Sequence, residues 1–415
     1  MQLAPLRVSK AIRDTLLACA VPGDDSRSLS AVTDWSALLN AAHVHGMVPL
    51  VSERLRRSGY PDDTKRVLLA NQLMYARRST QLEEYLGRVL SALTEVGVAS
   101  IVLKGPALAN SVYPQSSLRP YGDIDILCRE KDWVAVHEVL IGQGYVPVNG
   151  LTAPPPKVWD RKAYYHTQYW RPTEGVLVEV HFDLWQVGLR PRLGERFWQQ
   201  AVPVSIAGTQ GQMLAPEDQV LHLCVHLHHH GYKRLIWFTD LALLLRLPQP
   251  LDWDYIVWAA GQEGVGPSVY YALRYLTQLL GADVPVAVLR ALHPNSVQAA
   301  LHDHLWPAGP ILELEIDQTV SCGEFHEVPE VTELLSNLVL SGRRWEKVLY
   351  VGRLLLPSTA WLAYYYGTAD PGTLRLRRLM HAPKLLGGAC RQLFAAARRA
   401  VRGERWVPEH AIVAA

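Results

Sequence analysis

Hydrophobic and polar residues follow two different periods along this chain, and the change of period divides it. Up to about residue 85 the spacing is helical. Asp34 is an N-cap candidate, with Trp35, Leu38, Leu39, Ala42 and His43 at helical spacing behind it. From Met74 to Val96 a long amphipathic helix carries Leu82, Leu86, Val89, Leu90 and Leu93 on one stripe and leaves through Gly97. The apolar run Ala99 to Leu103 then reads as a buried strand ending at Lys104-Gly105, and Pro106 fits the first position of a helix covering Ala107 to Tyr113. Asp123 to Cys128 reads as a strand, Trp133 to Gln143 as a helix stopped by Gly144, and Tyr145 to Val148 as a strand. Thr152 to Pro156 is a proline-rich loop, and Val176 to Phe182 alternates as a further strand. From about Pro216 the period is helical again, with helices expected over Glu217–His230, Trp237–Leu245 and Ser268–Leu280. Pro294 to Pro310 reads as a connection, and residues 330–400 as helices broken at Pro357, Pro371 and Pro383.

This order predicts an α+β fold, a short mixed sheet with helices packed on it between helical flanks. The 415 residues allow two or three domains, and 49% hydrophobic with 19% charged residues suits a globular chain. A net charge of +2 selects neither nucleic acid nor membrane as partner, although Thr373 to Arg405 carries nine Lys or Arg and one Glu. That basic bias reads as a solvated helix face, with RNA, an acidic peptide or a membrane surface as docking alternatives. Five scattered cysteines without Cys-x-x-Cys argue against a disulfide framework or a cysteine zinc site and for a reducing cytosol. Met1 to Lys10 has no signal-peptide core, and no apolar run is long enough for a transmembrane helix, so the expected location is cytoplasmic.

The chemistry concentrates in Gly122-Asp123-Ile124-Asp125-Ile126-Leu127. Side chains at i and i+2 of a strand share a face, so Asp123 and Asp125 project together. Two such carboxylates repel unless a cation lies between them, and hard oxygen ligands favour Mg²⁺ or Mn²⁺ over zinc. Upstream, Lys104-Gly105 at a helix start is a phosphate-binding turn, with the lysine to contact phosphate and the glycine to let the backbone approach it. Carboxylate-held metal beside a phosphate turn implies chemistry on a nucleoside triphosphate.

Leu103-Lys104-Gly105, Leu118-Arg119-Pro120 and Gly122 to Leu127 resemble a poorly characterised bacterial nucleotidyltransferase family of the DNA polymerase β-like superfamily. Val178-Glu179-Val180-His181 is similar to the family's third-carboxylate strand. Leu221 to His226, Gly231 to Leu235 and Trp237 to Asp240 are similar to its helical follow-on motif. The usual Gly-Ser of the superfamily's phosphate turn is here Lys-Gly, so no serine hydroxyl is offered. The resemblance implies an N-terminal helical region (1–85), a small mixed-sheet nucleotidyltransferase core (86–205), a helical region closing over nucleotide and substrate (206–300) and a C-terminal helical region with the basic tail (301–415).

By that resemblance Asp123, Asp125 and Glu179 are the catalytic and metal-binding residues, with Asp183 the competitor to Glu179 if the strand register shifts. Lys104, Gly105 and Arg119 are assigned to the phosphates, although Arg119 also reads as a solvated loop arginine. His222, His226 and His230 fall at i, i+4 and i+8 on one helical face, a spacing that can bind zinc. The resemblance instead puts His226 or His230, with Lys233, on the base, ribose or phosphate, and leaves Asp240 to orient Lys233 or Arg234 or to cap a helix. The implied activity is Mg²⁺-dependent transfer of NMP, with ATP as the expected donor, to a hydroxyl or phosphate acceptor. A small molecule or peptide is the favoured acceptor class. A catalytically inactive nucleotide-binding or regulatory protein, and a toxin-like enzyme acting on tRNA or protein, are the alternatives.

Overall fold

A computed structural model of the chain describes residues 7–24, 26–27, 29, 31–56, 62–148, 166–185, 193–316, 335–337, 351–352, 355–357, 359, 362 and 370–402. The loop expected at Thr152–Pro156 lies outside the described residues. The architecture is mixed α+β, and it divides into two compact units.

The unit formed by residues 9–223 and 234–256 holds the sheet. Its strands are β1 (Ser100–Val102), β2 (Asp123–Cys128), β3 (Val146–Pro147), β4 (His166–Arg171), β5 (Val176–His181), β6 (Val202–Ile206) and β7 (Thr209–Met213). They lie in the order β3-β4-β5-β2-β1-β7-β6. At the centre β2 and β5 run parallel, with Asp125 opposite Glu179, while β1 runs antiparallel to β2 and β4 antiparallel to β5. Alternation decides which face each side chain takes. Ile124 and Ile126 of β2, Val176, Val178 and Val180 of β5 and Tyr169 of β4 pack into one core. Leu82, Leu86, Val89, Leu90 and Leu93 fill that core from the 34-residue helix Asp62–Glu95. The alternate positions of the same strands, which hold Asp123, Asp125 and Glu179, point to the opposite face.

Several local expectations are corrected here. The helix after β1 spans Lys104–Ala109, so Pro106 sits at its third position, where the missing N–H has no intrahelical partner to lose. Lys104 enters this helix with a φ of 47°, a left-handed conformation uncommon for a residue with a side chain. The hairpin β6–β7, joined by Ala207 and Gly208 at φ 48° and 79°, carries no apolar alternation in Thr209-Gln210-Gly211-Gln212 and joins the sheet through Val102↔Met213. Two positive φ values in a two-residue loop suit the right-handed twist of a hairpin.

The other unit comprises the described residues of 1–8, 224–233 and 257–415. Its helix Gly266–Leu280 buries Val269, Leu273 and Leu276 and ends on Gly281 in the left-handed conformation. The span expected as a connection, Pro294 to Pro310, contains the helix Ser296–Leu305. Its N-terminus is a capping box in which the Asn295 side chain accepts from the Gln298 backbone and the Gln298 side chain accepts from the Asn295 backbone. The expected breaks at Pro371 and Pro383 are also corrected. Pro371 starts a helix that runs to Arg402, and Pro383 lies inside it.

Candidate active site

The polar face of the sheet collects one constellation from three neighbouring strands. Asp123 and Asp125 come from β2, Glu179 and His181 from β5, and His166 and Gln168 from β4, the last two directly opposite His181 and Glu179. Lys104 arrives from the neighbouring helix start, placed there by the backbone bond from Leu103 N to the Asp125 carbonyl at 2.9 Å. One oxygen of the buried Asp125 carboxylate accepts from Lys104 Nζ at 2.8 Å and is hydrogen-bonded to His181 Nε2 at 2.7 Å. Glu179 accepts from Gln168 Nε2 at 2.7 Å, and its second oxygen stands 3.7 Å from His181 Nε2. Asp125, Glu179 and His181 each bring one potential ligand atom within 4.8 Å of the others. They are the one such trio among the described residues.

Charge is out of balance in this space. Three carboxylates face one lysine, so they cannot all ionise comfortably. Burial opposes ionisation of Asp125, but Lys104 and His181 outweigh it and hold this carboxyl well below the usual range. Asp123 is pushed up to about 6 by burial and by the Asp125 charge. Glu179 is pushed up to about 8 by burial, Asp125 and Asp123, in that order. Burial alone would lower Lys104, yet the three carboxylates raise it above its ordinary value. Burial and Lys104 together lower His181, and burial with the neighbouring His181 and Lys104 pushes His166 down to about 3. The two imidazoles therefore stay neutral and can offer a lone pair.

The remaining sequence candidates divide. Gly105 lies against Tyr121, where an added Cβ would come 2.7 Å from the Tyr121 Cβ. It therefore serves close packing just ahead of Gly122-Asp123. Asp183 accepts from the Trp185 backbone at 3.3 Å, and Glu179 is the residue opposite Asp125. Arg119 is no solvated loop residue. It is 5% exposed and gripped by Asp240, with guanidinium contacts of 2.7, 2.9 and 3.1 Å, and it donates to the Pro120 carbonyl at 2.6 Å. Asp240 lies inside the helix Leu235–Leu244, so it does not cap that helix. It also accepts from the Tyr113 hydroxyl at 2.7 Å. His226, His230 and Lys233 belong to the other unit, where the two histidine rings have centroids 4.4 Å apart. His222 sits in the sheet-bearing unit, tilted against Trp185. Sequence reasoning left out His181, His166 and Gln168. For His181 the signal was present, since strand alternation places it on the same face as Glu179.

A family model described as an uncharacterised nucleotidyltransferase matches residues 31–281. The crystal structure of an antigenic nucleotidyltransferase-like protein from Paracoccidioides brasiliensis is similar over 50% of this chain and 95% of its own, with 14% sequence identity and a TM-score of 0.34. No curated protein matches the sequence.

Proposed function

This chain belongs to that nucleotidyltransferase family, and we propose that it is a divalent-metal-dependent enzyme of the polymerase β-like kind. In this reading it moves a nucleoside monophosphate, with ATP as donor, to a hydroxyl or phosphate of a small metabolite or peptide, and pyrophosphate leaves. The observation that carries it is the convergence of Asp125, Glu179 and His181 within 4.8 Å, on the sheet face that also bears Asp123. The donor set fits a divalent cation: carboxylate oxygens and a neutral imidazole, in a space whose negative charge is not balanced by Lys104. Mg²⁺ or Mn²⁺ held there would neutralise that excess and polarise the phosphate and acceptor oxygens.

Asp125 and Glu179 are the principal ligands, His181 adds a nitrogen, and Asp123 at the half-buried start of β2 supplies a further carboxylate. As the acceptor oxygen bonds to the α-phosphorus, the bond from that phosphorus to the bridging α–β oxygen breaks and pyrophosphate departs with its electron pair. Glu179, the carboxylate opposite Asp125, receives the acceptor's proton. Lys104 donates to Asp125, and triphosphate oxygens compete with that carboxylate for its ammonium. Arg119 and Gly105 shape the approach to β2 and leave phosphate contact to Lys104.

Calorimetric titration of ATP, GTP, CTP and UTP into the protein with Mg²⁺, repeated on Asp123→Asn/Asp125→Asn, tests the reading. One triphosphate should bind in a metal-dependent way, and the double variant should lose that binding. Equal affinity in the double variant would overturn the assignment.

A further inference from the structure

The helix Pro371–Arg402 has two apolar stripes, and its own unit covers one of them. Leu374, His381 and Leu385 are buried, and Ala389 packs on Leu301 and Leu335 beside the helix Ser296–Leu305. On the opposite side Leu376, Leu379, Met380, Leu386, Leu393 and Phe394 are 47 to 74% exposed. At 3.6 residues per turn these six share an arc of about 140°, the width of a core-facing stripe. Scattered exposed apolar residues are ordinary, but a continuous stripe along several turns marks a contact surface. Pro383 lies in that arc, so the hydrogen bond it omits, to the Leu379 carbonyl, is on the outer side.

Charge identifies what the stripe meets. The helix has eight Lys or Arg and no Asp or Glu, in a chain whose net charge is +2. Arg377, Lys384, Arg391 and Arg398 recur every seven residues and form an exposed rail along one flank of the stripe. A second copy of the helix would match the apolar stripe but would bring two cationic rails together. Bases of RNA stack on aromatic rings, and Phe394 is the helix's one aromatic residue. Aliphatic depth flanked by a cationic rail matches a bilayer of anionic phospholipid, which takes the apolar stripe below its headgroups and the rail at its phosphates.

We infer that Pro371–Arg402 is an interfacial helix that lays the exposed stripe Leu376–Phe394 on an anionic phospholipid surface. The helix does not span the bilayer, since no described helix is long and apolar enough to cross one. Binding is additive between the stripe and the rail, so each alone is insufficient.

Vesicle flotation of the full chain tests this, with phosphatidylcholine alone and with phosphatidylcholine containing about one third phosphatidylglycerol. The protein should float with the mixed vesicles, stay behind with phosphatidylcholine, and be released by high salt. Lys384→Gln/Arg391→Gln should weaken binding roughly 25-fold, at about fivefold per cation. Leu379→Glu/Phe394→Glu should abolish it. Both variants alter exposed positions, and thermal melting matched to the parent confirms that they fold. Failure of the parent chain to float would overturn the inference, as would equal binding to both vesicle types. A parent chain that shifts tRNA but ignores vesicles, or a dimer that Leu379→Glu/Phe394→Glu dissolves, would give the face to RNA or to a second copy and equally overturn it.

Discussion

Arg119 and Asp240, 121 residues apart in the chain, close a buried ion pair at 2.7 Å just ahead of the Asp123–Asp125 strand. The Tyr113 hydroxyl donates to the same carboxylate. Removing one partner leaves a charge without water or counter-charge, which costs about 3–5 kcal/mol. We therefore expect Asp240→Asn to lower the urea midpoint sharply. Arg119→Met/Asp240→Asn, which removes both charges and keeps an acceptor for Tyr113, should recover most of the loss. A double variant no better than the single one would show that the pair does more than neutralise itself.

Gly105 and Gly122 make a matched pair of tests. A methyl group at Gly105 meets Tyr121 at 2.7 Å, whereas one at Gly122 meets nothing within 4 Å. Gly105→Ala should destabilise by about 1–3 kcal/mol despite the helix-propensity gain, and it should reduce nucleotidyl transfer by moving Tyr121 and the entry to β2. Gly122→Ala should change stability by less than about 0.5 kcal/mol. Thermal melting of the two variants decides.

Divalent ions should stabilise the protein more as pH rises. Folded Glu179 holds its proton up to about 8, against about 4.3 in an unfolded chain. Across that window the folded state binds the extra proton, so metal-free stability falls with rising pH. A cation displaces the proton, so its affinity strengthens between pH 6 and pH 8. At a hundredfold excess over Kd the gain is about 2.7 kcal/mol, read as a shift in Tm with Mn²⁺ or Mg²⁺. Glu179→Gln should flatten both trends. A metal-induced shift independent of pH would argue against Glu179 as a ligand.

Asp218 offers a pH effect away from the constellation. It is buried, accepts from the Tyr255 hydroxyl at 2.7 Å, and has a second buried oxygen without a hydrogen-bond partner. Burial pushes it up to about 6. Because the folded value exceeds the unfolded one, its contribution is favourable below about pH 4 and is lost as pH rises through 6. Asp218→Asn should therefore be more stable than the parent at pH 7.5 and show no gain at pH 4. Urea unfolding at the two pH values checks the sign.

The central strands were legible because both faces of each are specified. Asp123–Cys128 was read residue for residue, and Val176–His181 to within one position, since valine and isoleucine alternate with the candidate site residues. Placing Asp125 opposite Glu179 took the register, and a lone strand does not reveal its neighbour. Arg119 looked solvated because its partner is remote in sequence. The polar Thr209–Met213 strand was invisible because pairing with β1 and β6, not alternation, makes it a strand. The helix at Ser296 was a local miss. Asn295 and Gln298 carry its signature, but prolines at 294, 307 and 310 drew the reading toward a connection.

The parallel pairing of β2 with β5 separates what this molecule must inherit from what it is free to change. The spacing of the two strands is ruled by a backbone ladder of about 4.8 Å, and from the segment that joins them Gln168 of β4 holds Glu179. From Arg129 to Pro147 the chain makes an excursion that adds Val136, Leu140 and Tyr145 to the core under that ladder and none of the carboxylates of the constellation. Descendants of one ancestor can therefore recast the exposed positions of this excursion while passing on the same carboxylate spacing.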